Sequence, residues 1–205
     1  MRDTYRSPPP RAPRTETGMS RRALLGLRRS PAARRGIDYA GVVERVRAAW
    51  EQPGHEPLLR ALEPAADTLA KLCAPPSGAR FLDVGAGDGN LALAALRHGA
   101  TVDACDLSPA MVERGRARCG DAVHWRVGDA SALPYADGEF DVVASSFGAA
   151  LAPRARRAAR ELVRVTRPGG TVALTAWVPR GLPGRLDELV EPLDPRPDGV
   201  RPPAD

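Results

Sequence analysis

The sequence has little cysteine, a single lysine and no long apolar run, and each shortage removes a class of function. Cys73, Cys105 and Cys119 are an odd set without metal-ligand spacing, and Cys105 falls inside an apparent strand. They read as reduced, structural thiols of a cytoplasmic protein. No stretch approaches the roughly 20 apolar residues needed to span a bilayer. Ser20-Arg21-Arg22-Ala23-Leu24-Leu25-Gly26 has the look of a twin-arginine export signal, but the apolar region it needs fails at once at Arg28, Arg29, Ser30 and Pro31. His55, His98 and His124 are not grouped with carboxylates, so no metal site is expected.

Arginine, by contrast, is abundant and unevenly placed. Residues 1–36 hold ten arginines against Asp3 and Glu16, a net +8, so in a chain of net +5 residues 37–205 carry −3. A mildly acidic body argues against a nucleic-acid-binding face, although the arginine tail could touch an anionic surface. The tail is dense in Pro and Arg with almost no apolar periodicity. Such a composition cannot bury enough surface to offset its ordering entropy, which predicts disorder over 1–36.

At 205 residues the chain has room for one catalytic domain plus appendages. Val42, Val43, Val46 and Trp50 recur at helical spacing and predict an amphipathic helix from Tyr39, ended by Gln52, Pro53 and Gly54. A further helix is expected over 58–72, interrupted or restarted at Pro64. Beyond it, short apolar runs alternate with helical ones. Strands are predicted to begin near Arg80, Thr101, Val123, Asp141 and Thr171, with helices over 91–97, 109–118 and 153–165. That alternation implies an α/β fold with a parallel sheet and right-handed crossovers. Ser108 and Pro109 supply an N-cap and first-turn proline, and Gly120 is placed to close that helix. The resulting division is a basic tail (1–36), a helical cap (37–77), a nucleotide-binding domain (78–178) and a proline-rich segment (179–205).

The organising stretch is Phe81-Leu82-Asp83-Val84-Gly85-Ala86-Gly87-Asp88-Gly89-Asn90, a buried strand running into a glycine loop. Helix propensity resumes at Leu91, so the loop opens onto a helix N-terminus whose unpaired N–H groups point at a ligand. Asp106 ends the second strand 21 residues after Gly85, near the spacing of about 20 at which nucleotide folds place a ribose ligand. A carboxylate there can accept two hydrogen bonds from a diol. The third strand ends in Gly128, Asp129 and Ala130, where Asp129 can accept from an exocyclic amino group or simply cap a turn. A dinucleotide-binding reductase would need a third glycine where Asn90 stands, and a Tyr-Lys pair or similar proton donor, yet the only lysine, Lys71, precedes the first strand. An NAD(P)-dependent reductase is therefore a distant alternative.

Five motifs occur in order: the 82–89 loop; Asp106-Leu107-Ser108-Pro109-Ala110-Met111; Gly128-Asp129-Ala130 followed by Leu133-Pro134-Tyr135; Phe140-Asp141-Val142-Val143; and Arg167-Pro168-Gly169-Gly170. Together they resemble the class I S-adenosylmethionine-dependent methyltransferases, especially the small-molecule group that includes the quinone-biosynthesis C-methyltransferases, over residues 78–178. The resemblance implies a Rossmann-like sheet with helices on both faces and N-terminal helices over the pocket. It implies S-adenosylmethionine as cofactor, with Asp83, Gly85, Ala86 and Gly87 along its methionine end, Asp106 on the ribose, and Leu107 and Met111 flanking adenine. Asp129 would take the adenine amino group with Ala130 facing the ring, while Ser145, Ser146 and Phe147 would border the methyl group. Asp88 departs from the family's usual small hydroxyl or proline residue.

The implied reaction is methyl transfer to a small-molecule acceptor by in-line displacement, driven chiefly by positioning. A general base is needed only for a protonated nucleophile. Among the histidines only His55 lies near the helices that cover the pocket in such enzymes, and it is given no catalytic role. Family members continue after strand five with a hairpin. Here the proline-rich 179–205 segment is expected to leave strand five as a sheet edge, open to self-association or to a partner polypeptide. The corresponding alternative function is a truncated, non-catalytic domain that binds the cofactor or a partner. Deletion of residues 2–36 should leave the thermal shift induced by S-adenosylmethionine unchanged; loss of that shift in a folded protein would refute the assignment of the tail as an appendage.

Overall fold

The computed structural model describes residues 38–177; the expectations for the 1–36 tail, for the 179–205 segment and for a hairpin after strand five fall outside them. The described elements are α1 (Tyr39–Glu51), α2 (Glu56–Cys73), β1 (Arg80–Val84), α3 (Asn90–Arg97), β2 (Thr101–Asp106), α4 (Pro109–Cys119), β3 (Val123–Val127), β4 (Phe140–Ser146), α5 (Ala155–Val165) and β5 (Thr166–Thr175). The five strands pair in parallel in the order β3-β2-β1-β4-β5. Among the described residues β5 and β3 are the sheet edges.

Alternation along β1 sorts the core into two layers. Phe81 joins a cluster with Ala66, Leu69 and Ala70 of α2, the alanine-rich face of α3, and Val112 of α4. Leu82 and Val84 point the other way, into a cluster with Tyr135, Phe140, and Leu162 and Val165 of α5. A central strand covered on both faces has no polar side to show, hence the unbroken apolar run with which it announces itself.

Helix boundaries follow local chemistry. The Asp38 carboxylate accepts from Gly41 N–H at 3.0 Å at the start of α1. Ser108 Oγ accepts from Met111 N–H at 3.3 Å at the start of α4, Pro109 occupies its first turn, and Gly120 at φ +59° closes it.

Two expectations need correction. Helix α2 runs unbroken through Pro64; the proline and Arg60, whose carbonyl loses its helical donor, are both exposed residues, where water is available to a freed acceptor. Strand β5 begins at Thr166 rather than near Thr171, with a register shift in which Phe140 faces Thr166 and Val142 faces Thr171. The residues in between, Arg167 to Gly170, contain a proline without an N–H and Gly169 at φ +76°, a combination that leaves the regular ladder and re-enters it.

Helix α4 sits on β3 through a glycine. A Cβ at Gly115 would stand 2.2 Å from the Trp125 indole, and Trp125 is buried. In a helix interior Gly→Ala normally stabilises by about 1 kcal/mol. Here the sign should reverse: Gly115→Ala is expected to cost about 1–3 kcal/mol through overpacking, read as a fall in the urea midpoint, and a stabilised variant would show that the indole yields.

Candidate active site

The carboxyl ends of β1, β2, β3 and β4 meet around a cleft of about 240 Å³. Its floor is the loop after β1. Gly85 N–H and Ala86 N–H both donate to the Cys105 carbonyl, at 2.8 and 3.0 Å, and Gly87 N–H donates to Asp106 Oδ2 at 2.8 Å. The other Asp106 oxygen accepts from Ser108 N–H at 2.9 Å. Each carboxylate oxygen thus holds one backbone donor and keeps a lone pair for a ligand. Burial pushes the Asp106 carboxyl up, while the N–H donors of Ser108 and Gly87 pull it back down by stabilising its charge.

Backbone crowds backbone at one wall. A Cβ at Gly85 would lie 2.8 Å from Gly148 Cα, and a Cβ at Gly148 would lie 2.4 Å from the Gly85 carbonyl oxygen. The loops after β1 and β4 can touch only because both residues are glycine. Next to that contact Phe147 sits at φ +67°, a conformation rarely adopted by a bulky side chain and costing of order 1–3 kcal/mol. Its N–H donates to Thr175 Oγ1 at 3.1 Å and its ring stacks on Trp177 with centroids 4.4 Å apart.

Of the residues singled out from sequence, Gly85, Ala86, Gly87, Asp106, Leu107, Met111, Asp129 and Ala130 line the cleft, as do Ser146 and Phe147. Asp129 accepts from Ser131 N–H at 2.7 Å and from the Ser131 hydroxyl at 2.8 Å, so it caps its own turn while facing the cavity. Asp83 and Ser145 do not line it. Asp83 is fully buried, and its Oδ2 accepts from Ala92 N–H at 3.0 Å. Gly89, the N-cap of α3, offers no side chain, and Asp83 caps that helix from the strand instead. Ser145, also buried, donates to the Val84 carbonyl at 2.6 Å and accepts from Ala149 N–H at 2.8 Å. Both brace the walls from behind.

The remaining wall was not foreseen residue by residue. Val46 and Trp50 of α1, Leu58, Leu59 and Leu62 of α2, and Leu151, Pro153 and Trp177 close the cleft with apolar surface. Their helical spacing in α1 and α2 was the available signal, and it marks an apolar stripe without saying what the stripe covers. His55 does not line the cleft: its Nε2 lies 3.0 Å from the Ala49 carbonyl and its ring packs on Trp50 at 4.8 Å. His98 caps the end of α3, and His124 is exposed on β3. Asp88 pairs with Arg118 of α4 at 2.9 Å.

A parallel sheet whose central strand ends in a glycine loop, with carboxylates closing the next two strands, defines a Rossmann-like nucleotide site. Residues 82–174 match the methyltransferase domain family. An uncharacterized protein of Mycobacterium tuberculosis is 43% identical over 130 residues, 62% of this chain and 47% of that protein. The ubiquinone/menaquinone biosynthesis C-methyltransferase UbiE of Cereibacter sphaeroides is 38% identical over 111 residues, 51% of this chain and 44% of that enzyme. The crystal structure of an S-adenosylmethionine-dependent methyltransferase from Mesorhizobium loti superposes with a TM-score of 0.51 at 28% identity, covering 58% of this chain and 56% of the other. These likenesses support a class I S-adenosylmethionine-dependent methyltransferase domain over residues 82–174, of a class whose cofactor is S-adenosylmethionine. The chain spans about half the length of the curated relatives it matches.

Burial pushes the Asp83 carboxyl from an ordinary 3.8 up to about 8, with the neighbouring Asp106 and Asp88 charges adding to the rise and the Ala92 N–H opposing it. A folded-state value above the unfolded one means that the folded chain binds the extra proton. Its stabilising contribution is therefore complete below about pH 4 and lost as pH rises towards about 8. Asp83→Asn keeps an acceptor for Ala92 and has no proton to lose, so its urea midpoint should fall less over that window than that of the wild type. Parallel curves would show that Asp83 stays ionised in the fold.

Proposed function

We propose that the cleft binds S-adenosylmethionine and that the protein transfers its methyl group to an apolar small-molecule acceptor. The observation that carries this reading is Asp106, which holds Gly87 N–H with one oxygen and Ser108 N–H with the other while lining the cleft. Its two spare lone pairs suit a ribose diol. Asp129 supplies an acceptor for an exocyclic amino group, and Leu107, Met111 and Ala130 supply flat apolar flanks for a purine. Gly85, Ala86 and Gly87 leave room for the amino-acid end. Asp83 and Ser145 serve as positioning residues, the first through α3 and the second through the contact between the β1 and β4 loops.

Charge supports the same cofactor over a dinucleotide. Among the described residues Asp106 and Asp129 are the ionisable side chains lining the cleft, and no arginine or lysine does so. A lining of that sign attracts a cationic sulfonium and repels a pyrophosphate. When bound, the cofactor supplies a methyl group on positively charged sulfur, open to in-line displacement. The chain's task is then orientation and the exclusion of water, for which effective gains of about 7–11 kcal/mol are available, and the apolar wall from α1, α2 and Trp177 is suited to both. The division into a helical cap (37–77) and a cofactor domain (78–178), a cytoplasmic location and the lack of any nucleic-acid partner are parts of the same proposal. No described helix is long and apolar enough to cross a membrane.

S-adenosylmethionine and S-adenosylhomocysteine should each raise the melting temperature more than NAD(P) does. Stabilisation by the nicotinamide cofactors alone would reject the reading. Asp106→Ala should leave the fold intact and weaken cofactor binding by about 1.5–3 kcal/mol; calorimetry showing unchanged affinity would remove Asp106 from the site. A methyl-release assay against extracts addresses transfer itself, and tight binding without release to any acceptor would leave a cofactor-binding module.

A further inference from the structure

At the edge of the cleft, a small polar cluster joins the glycine loop to three helices, and one of its members, Asn90, also lines the cleft. It comprises Asp88 of the glycine loop, Asn90 at the start of α3, Arg118 of α4, and the backbone of α2. Asn90 is buried, and its Nδ2 donates to the Leu59 carbonyl at 2.7 Å. Its Oδ1 accepts from Arg118 Nη1 at 2.6 Å, and the same guanidinium nitrogen lies 2.9 Å from Asp88 Oδ1. Arg118 Nη2 is 3.8 Å from Glu63, one turn further along α2.

Leu59 is held at both ends. Its carbonyl is the acceptor for Asn90, and its side chain lies on the glycine loop, where Leu59 Cδ2 would be 3.4 Å from a Cβ placed at Gly87. Leu59 also lines the cleft, as do its neighbours Leu58 and Leu62. The helix that closes the cleft is thus registered on the loop that floors it through one buried amide, and that amide is oriented by a guanidinium from a third element. An amide hydrogen-bonded on both sides has its rotamer chosen for it, because a flip would set Nδ2 against the arginine and Oδ1 against a carbonyl.

We propose that Arg118, acting through Asn90, is a positioning residue that sets Leu59 on the glycine loop and thereby controls how long the cofactor is retained. The inference rests on the reading of the cleft as the S-adenosylmethionine site. It assigns a role to Asn90, the residue that stands where a dinucleotide fold would carry its third glycine, and to Asp88, which fixes Arg118 from the loop side.

The test uses the full chain and measures S-adenosylhomocysteine release by stopped-flow competition, with melting temperature recorded for every variant. Arg118→Ala and Asn90→Ala should each speed release about tenfold, the equivalent of losing one charge-assisted hydrogen bond in net terms. Adding Arg118→Ala to Asn90→Ala should then change little, since the two act in series. Arg97→Ala is the control: its ion pair with Asp67 also ties α2 to α3 but touches neither the loop nor Leu59. It should leave release within a few-fold, as for an exposed pair. Should Arg118→Ala fail to fold, Arg118→Met keeps the apolar length of the stem and removes the nitrogen that reaches both Asn90 and Asp88, and the same faster release is expected.

Unchanged release in a folded Arg118 variant, even with a lower melting temperature, would reduce the cluster to a structural tie and overturn the proposal. Fully additive effects of the two alanine substitutions would also overturn it. A folded wild-type chain that binds no S-adenosylhomocysteine would overturn the reading of the cleft itself, an outcome distinguishable from the other two.

Discussion

The end of β2 is what the site is built on. The Cys105 carbonyl takes two consecutive N–H groups of the glycine loop and the Asp106 side chain takes a third, so the loop's shape is set by an adjacent strand. This explains why a run of three glycines with so little intrinsic preference for one conformation can form a defined floor. Glycine loses more backbone entropy on ordering than any other residue, and here paired acceptors in a protected environment offset that loss. The parallel register of β1 on β2 is the precondition: Val84 faces Cys105, and a slip of one residue would bring a different carbonyl to the loop and turn every side chain to the opposite face.

From that anchor the remaining walls follow as consequences of close approach. Gly148 can lie against Gly85 only if the chain after β4 turns sharply, and the residue that absorbs the turn is Phe147 at φ +67°. The strain sits where a ring is needed, stacked on Trp177 at the apolar side of the cleft. Ser145 stabilises the same turn from behind by joining the Val84 carbonyl to Ala149 N–H. Strain of this kind persists when the surroundings over-determine it, and two strand ends, a serine bridge and a threonine hydroxyl on Phe147 N–H do so here.

The sheet and the loops that line the cleft were legible because their signals are local. A central parallel strand must be apolar on both sides, a loop that others approach closely must be glycine, and a helix that starts at Ser108-Pro109 carries its own cap. Asp83 shows where such signals stop. The family resemblance implied ligand contact for it, but strand alternation turns it toward α3, and Gly89 left that helix without a capping side chain; neither fact lies in the motif. Pro64 misled in the opposite direction, since its cost depends on whether the freed carbonyl reaches water, a property of the folded surface. The apolar stripes of α1 and α2 were visible, while the tie between α2 and the start of α3 is a hydrogen bond between Asn90 and Leu59, 31 residues apart, which periodicity cannot encode.

The arrangement separates two demands that would otherwise conflict. A cofactor floor has to be rigid, because donors and acceptors misplaced by about 1 Å forfeit much of the gain from orientation, whereas a cover has to admit a ligand and let it leave. The floor is accordingly part of the sheet's own hydrogen-bond system and is continuous with the core layer of Phe81 and α3. The cover rests on the floor through apolar contact and a few polar ties, and the ion pairs flanking those ties are partly exposed, with side-chain exposures of 32% and 48% for Arg118 and Glu63. Exposed pairs contribute little and are screened by salt. The cover can therefore be loosened at low cost without disturbing the strand ends that define the cleft, as a site that must bind, enclose and release requires.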